Sequence, residues 1–267
     1  MRQPSLCLKG RKAMPRAGKV PLTLDLHKQT LTFAGAVLAQ LPMVSEERQQ
    51  HYIGKPDRLK KVLAKAFAED LTQPSATADL LRWEMVYGKL FGLKQKPDLS
   101  ALCIPEKPKG VGPVRLIVVA HEIVDWTKNR PLQGVQEALK KHFPAWQYEK
   151  DLDTAIPKND RDPKNGSYAV WVKDVREADE EYANKLADDL KAENHAGITI
   201  LERQLLETDY FFEKGEHLDR ENWTLCLGSR SRDGNVPFAY WCDSKFGVYW
   251  FDSTNRDPNF RSRRVWV

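Results

Sequence analysis

Apolar positions change their period along the chain, and the changes mark out the elements. Between Asp57 and Ala68, Leu59, Val62, Leu63, Ala66 and Phe67 fall on one side of a 3.6-residue helix, with Lys60, Lys61 and Lys65 on the other. From about Ala76 to Phe91, Leu80, Trp83, Tyr87 and Leu90 recur at spacings of three and four, which predicts another helix. Ahead of both, Leu24, Leu31, Val37, Leu38 and Leu41 form a looser helical set. Prolines, glycines and lysines then interrupt the pattern up to Pro113. Val114–Ala120 is a β-branched run that reads as a buried strand, and Tyr168–Val172 reads as a second. Between them, Pro131 opens a helix to about Phe143 with Leu132, Val135 and Leu139 on one face.

Two helices are expected next. Glu177–Asn194 carries its acids outside and Tyr182, Leu186 and Leu190 inward. The second has a defined start, because Thr199 and Glu202 have capping-box spacing. Ile198, Leu201, Leu205 and Phe212 share a face, and Gly215 is the expected C-terminal cap. In the tail the period drops to two. Asn222–Leu227, Val236–Cys242 and Phe246–Phe251 read as strands, with turns at Asp233-Gly234 and Asp243-Ser244-Lys245. Arg263–Val267 is a candidate fourth strand. The fold expected is α+β. Residues 1–20 read as a disordered basic arm, 21–95 as a helical unit and 96–113 as a linker. Residues 114–267 read as a mixed α/β unit whose end, 222–267, is a three- to four-stranded antiparallel β-meander.

Composition adds limits. The 267 residues are 41% hydrophobic, enough for one or two domains with a true core. No apolar run approaches the ~20 residues of a membrane span, and no secretory apolar segment follows the basic N-terminus. A cytoplasmic protein without a membrane partner is expected. The net charge of +5 hints at nucleic acid, but six of the 42 Lys and Arg lie in residues 1–20, which hold no acid. The rest has 36 bases against 37 acids, so the basicity belongs to the arm. Cys7, Cys103, Cys226 and Cys242 show no paired spacing, which predicts reduced thiols and neither a metal nor another cofactor.

Candidate chemistry is weighed against plain packing at each place. The tail strands are apolar on both sides, with Trp241 opposing Phe238 and Tyr240, and Trp250 opposing Tyr249 and Phe251. One helix covers one face. The other could stack unpaired bases, with Arg230, Arg232 and Arg263 holding phosphates, or it could pack on the rest of the domain. Ligand-binding candidates are therefore Arg230, Arg232, Trp241, Tyr249, Trp250 and Arg263. Gly228–Gly234 has anion-loop composition, which is also ordinary hairpin composition. His121 and Glu122 follow a strand end, and His217 and Asp219 precede the meander. Together they would serve acid–base chemistry, though charged residues at strand ends are common. Asp151, Asp153, Asp160 and Asp162 miss the calcium-loop pattern and read as a solvated loop. Cys226 and Cys242 sit in strands, where a cysteine is usually inert core.

Gly197-Ile-Thr-Ile-Leu-Glu-Arg203, Gly215-Glu-His-Leu-Asp219, Trp223-Thr-Leu-Cys226-Leu-Gly-Ser-Arg230 and Asp233-Gly-Asn-Val-Pro237 resemble a group of uncharacterised proteins from uncultured bacteria. The resemblance covers roughly residues 167–267, with a weaker echo at Arg58–Glu69. It implies a bacterial, intracellular address and carries over no functional residue. The expected function is a non-catalytic binding module for single-stranded nucleic acid or an acidic protein. The alternatives are a hydrolase or nuclease using His121, Glu122, His217 and Asp219, and an assembly component whose second aromatic face is a subunit interface.

Overall fold

The helix that begins at the Thr199 cap lies at the centre of the fold. The structure, a computed structural model, describes residues 76–99, 102–193 and 195–267. The expectations for residues 1–75 lie outside the described residues. The helices are α1 (Ala76–Phe91), α2 (Ile123–Trp126), α3 (Pro131–Leu139), α4 (Leu152–Ala155), α5 (Ala187–Ala192) and α6 (Ile200–Lys214). The strands are β1 (Val114–Val119), β2 (Ala145–Gln147), β3 (Lys158–Asn159), β4 (Tyr168–Lys173), β5 (Trp223–Leu225), β6 (Ser229–Arg230), β7 (Val236–Cys242), β8 (Lys245–Phe251) and β9 (Phe260–Ser262). The α+β class is as expected.

The caps of α6 form as their chemistry dictates. Thr199 Oγ1 accepts from Glu202 N at 3.2 Å, Glu202 Oε2 accepts from Thr199 N at 2.8 Å, and Gly215 closes the helix with a left-handed φ of +68°. The amphipathic pattern misleads about the rest. α6 is buried at every position from Ile200 to Asp209, including Glu202, Arg203, Gln204, Glu207, Thr208 and Asp209. Its polar groups meet protein partners instead of water. Glu202 accepts from Arg161 at 2.6 and 2.9 Å. Gln204 Nε2 donates to Gln136 Oε1 at 2.9 Å, and Asp209 accepts from Arg115 at 2.8 Å and from Arg82.

Strands β1 and β7 and helices α1 and α3 pack around α6. β1 and β4 pair antiparallel, and a five-stranded sheet runs β2-β8-β7-β5-β9. Its three central strands are antiparallel, but β2 lies parallel to β8 and β9 parallel to β5. The tail is thus a mixed sheet and not a pure meander. The loop 252–259 carries the chain from β8 past β7 to the far edge of β5, so β9 arrives in the direction of β5. The candidate strand Arg263–Val267 is displaced to Phe260–Ser262. The residues after it stitch the two sheets together, through bridges Gly197↔Arg264 and Trp171↔Trp266.

The 96–113 segment does not divide the described residues. Its Leu99 is buried, and Pro105 O accepts from Trp171 Nε1 at 2.9 Å. α1 lies on the free edge of β1, where Trp83 Nε1 and Arg82 Nη2 donate to Leu116 O at 2.8 and 3.1 Å. Tyr87 OH donates to Val118 O at 2.7 Å and accepts from Ala120 N at 3.1 Å. Side chains of a helix thereby satisfy a strand edge that would otherwise template pairing. Pro74–Val267 consequently forms one compact unit.

The Glu177–Asn194 helix is broken. A 3-10 turn at Glu180–Tyr182 and the short α5 replace it, with Asn184 left-handed between them at φ 56°. The Glu177 carboxylate instead accepts from the amides of Arg220, Glu221 and Asn222. The acidic loop is likewise not merely solvated. Asp151 caps α4 and Asp162 caps the turn at Pro163–Asn165, while Asp153 accepts from Leu132 N and Gln133 N at 3.1 and 2.8 Å.

His195 packs at a tilt against Tyr182 with centroids 4.2 Å apart and pairs with Ser262 Oγ at 2.9 Å. Burial, helped by Arg264 and Lys185, lowers its pKa to about 4. The folded state therefore binds fewer protons than the unfolded chain between about pH 6.5 and about 4. Stability should fall as the pH drops through that window. Urea midpoints at pH ~7 and ~5 should differ less in His195→Gln than in the parent protein.

Candidate functional site

Strand alternation sorts the side chains of the five-stranded sheet. Phe246, Val248 and Ala239 point inward and are fully buried, and Trp241 lies on the same side, opposite Phe246. The outward side carries a ring on every strand: Trp146 on β2, Tyr249 on β8, Phe238 and Tyr240 on β7, Trp223 on β5 and Phe260 on β9. Centroids are 4.4 Å apart for Trp146–Tyr249, 5.5 Å for Tyr249–Tyr240, 5.2 Å for Tyr240–Trp223 and 5.1 Å for Trp223–Phe260. Gly247 sits under this row, paired with both Trp146 and Tyr240. A Cβ there would stand 3.0 Å from Tyr249 Cε2 and 3.2 Å from Tyr240 Cε1, so the absent side chain gives these rings their place.

Part of this face is covered. Ala187 and Leu190 of α5 pack with Leu225, Phe238 and Phe260. Trp146, Trp223, Tyr240 and Tyr249 remain half-buried, and Tyr148, beside Tyr249 and Trp250, is 53% exposed.

The residues expected to bind a ligand are dispersed. Tyr249 lies in the row, whereas Trp250 alternates to the side of Phe246 and Val248, with its ring edge-on to Tyr148 at 4.9 Å. Trp241 is on the inner side. Arg230 Nη1 donates to the carbonyls of Leu227 and Ser229 at 2.8 and 2.9 Å, and burial lowers its pKa. Arg232 is exposed, but its Nε donates to Thr154 O at 2.6 Å. Arg263 is 1% exposed and cannot reach a surface phosphate. Trp146, Tyr148 and Trp223 were not singled out by the sequence; for Trp146, parallel pairing between segments a hundred residues apart leaves no local pattern.

The two histidine pairs make separate sets of contacts. His121 Nδ1 pairs with Pro163 O, and Glu122 Oε1 accepts from Asp98 N at 3.3 Å. Among the described residues no hydrogen bond or ion pair joins them to His217 or Asp219. His217 pairs with Glu207 rather than with Asp219. Its Nδ1 lies 2.8 Å from Glu207 Oε1, while Glu207 Oε2 accepts from Arg203 Nη1 at 2.8 Å. Asp219 Oδ2 accepts from Arg203 Nε at 2.9 Å and from Thr224, and Oδ1 accepts from Arg263 Nη2 at 2.7 Å. Burial pushes the Asp219 carboxyl up, but the Arg263 and Arg203 guanidiniums outweigh it and hold the carboxyl below its usual range. The His217 ring is stacked between Trp241, at 3.3 Å and 6°, and Phe211, at 4.8 Å and 15°.

Glu207 carried a sequence signal that went unused. Arg203, Glu207 and Phe211 stand four apart on one line of α6, and the Gly215 cap turns His217 and Asp219 back onto that line. Cys226 is fully buried and burial pushes its thiol well up, so it is no nucleophile. It faces Pro237, whereas Cys242 pairs with Lys245 at the far end of β7. Among the described residues no cluster of His, Cys, Asp and Glu fits a metal ion, and no helix is long and apolar enough to cross a membrane. Comparison with family models, curated proteins and solved structures finds no match to the chain.

Proposed function

We propose that this protein is an intracellular binding module whose outer sheet face stacks the unpaired bases of single-stranded nucleic acid. The observation that carries the reading is the row of rings across all five strands, four of them half-buried, with Tyr148 exposed beside it. A lone solvent-facing ring is ordinary, but adjacent rings on one sheet face suit a ligand with several aromatic rings of its own. Lys245 shares the outward side of β8 with Tyr249 and places a cation at one end of the row. The neutral balance of residues 21–267 means that stacking, not charge, supplies most of the affinity.

The test is tryptophan-fluorescence titration of the full chain with oligo(dT) and oligo(U) at several salt concentrations. Saturable quenching is expected, and Trp146→Ala and Tyr249→Ala should each weaken binding about 5- to 150-fold, equivalent to ~1–3 kcal/mol per stacked base. Binding that both variants retain in full, yet that salt abolishes, would assign it to the basic residues 1–20 and end this reading.

A further inference from the structure

We propose that α5 is an autoinhibitory strap, which lies where the bases and phosphates of a single-stranded nucleic acid bind and which that ligand lifts. The inference rests on the outer-face reading above and adds the covered part of that face to the site. Ala187 and Leu190 pack with Leu225, Phe238 and Phe260, and those two phenylalanines are 8% and 2% exposed. Trp146, Tyr249, Tyr240 and Trp223 stay half-buried. The row of rings therefore has an open part and a part closed by a helix of six residues.

The acids of α5 complete the resemblance to a ligand. Asp188 Oδ1 lies 4.0 Å from Arg230 Nη2, and Asp189 Oδ2 lies 3.4 Å from Arg256 Nη2. Apolar groups on rings and anions on guanidiniums are the contacts that stacked bases and their phosphates make. Asp188 serves Arg230 incompletely. Arg230 Nη1 donates to the carbonyls of Leu227 and Ser229, but among the described residues Nη2 is buried with no hydrogen-bond partner. The fully buried Arg203 and Arg263, by contrast, hold carboxylate oxygens at 2.9 and 2.7 Å. A phosphate is not tied to the α5 backbone, so it can close the gap and accept from Arg230 at hydrogen-bond distance.

α5 is tethered at its ends and weakly held between them. Ahead of it, Asn184 N donates to Phe260 O at 3.2 Å, and behind it His195 pairs with Ser262 Oγ at 2.9 Å, so both ends are tied to β9. The left-handed Asn184 supplies a hinge, and the N-cap residue Leu186 provides no side-chain cap. So short a helix has little stability of its own. Its ion pairs, Asp189–Arg256 and the flanking Lys185–Glu193 at 3.6 Å, are exposed and contribute little. What remains is the packing of Ala187 and Leu190, which an incoming base can replace on the same surface. The apparent affinity is then the intrinsic one reduced by the fraction of molecules with α5 raised.

Fluorescence titration of the full chain with oligo(dT), beside hydrogen–deuterium exchange read by mass spectrometry, tests this. The double variant Asp188→Asn, Asp189→Asn should tighten binding about 2- to 20-fold. Leu190→Ser should tighten it as well; it changes no charge, and so separates release of α5 from relief of repulsion. In the parent protein, saturating oligo(dT) should speed exchange of the α5 amides, a result that needs no variant. Binding that Trp146→Ala weakens but neither α5 variant changes, with α5 exchange unaltered by oligo(dT), would overturn the strap and leave the outer-face reading standing. Binding absent from the parent and both variants, or indifferent to Trp146→Ala in all three, would end that reading and this inference with it.

Discussion

Arg203→Met is expected to cost about 3–5 kcal/mol of folding stability, measured by urea denaturation followed by circular dichroism. Arg203 is fully buried, donates to Asp219 through Nε and to Glu207 through Nη1, pairs electrostatically with Asp219 through Nη2, and lies over the Phe246 ring. Methionine fills the volume but leaves two buried carboxylates with too few donors. Asp219 retains Arg263 and Thr224; Glu207 retains only His217. The double variant Arg203→Met, Glu207→Leu removes one charge of each sign and should recover part of the loss, because an apolar pair carries no desolvation penalty. The pH dependence follows from Asp219. Its carboxyl is held below 3.8 in the folded state, so its contribution is present above about pH 4 and lost as the pH falls through the depressed folded value. Without Arg203 that value rises, and acid unfolding should begin at a higher pH.

Local signals were legible in the sequence where local chemistry decides the outcome. Thr199, Glu202 and Gly215 marked α6 correctly, and the alternation in Val236–Cys242 and Phe246–Phe251 sorted inward from outward side chains. What escaped depends on distant partners. Arg203 and Glu207 have the spacing of a solvated helix face, and nothing near Asp209 in sequence marks its burial. The residues that bury them, Asp219, Arg263 and Arg115, come from three separate segments. The same holds at the sites. His217 and Asp219 were paired because they are neighbours in sequence, yet Asp219 is drawn off by two guanidiniums and Glu207 takes its place. The outward ring row needed β2 beside β8, a parallel pairing that no turn announces. Glu177 looked like the start of a helix but serves three amides across a loop, and the helix fails there.

Trp83→Ala is expected to lower stability by about 3–5 kcal/mol and to make the protein self-associate. The side chain is fully buried, with its ring 5.6 Å from that of Tyr87, so truncation opens a large cavity between α1 and the β1–β4 pair. It also withdraws the indole N–H from Leu116 O, leaving Arg82 as the donor to that carbonyl. Tyr87→Phe separates the two effects. It keeps the volume but strips Val118 O and Ala120 N of their partner, for a cost of about 1–3 kcal/mol. If edge protection is what α1 provides, both variants should form higher-order species by light scattering at concentrations where the parent does not. If α1 contributes packing alone, Trp83→Ala should unfold more easily, and Tyr87→Phe should retain the parent's association state. The second outcome would place protection of the β1 edge elsewhere in the chain. The first would explain why a segment rich in proline and lysine, 96–113, does not separate α1 from the sheet, since the strand edge depends on the helix before it.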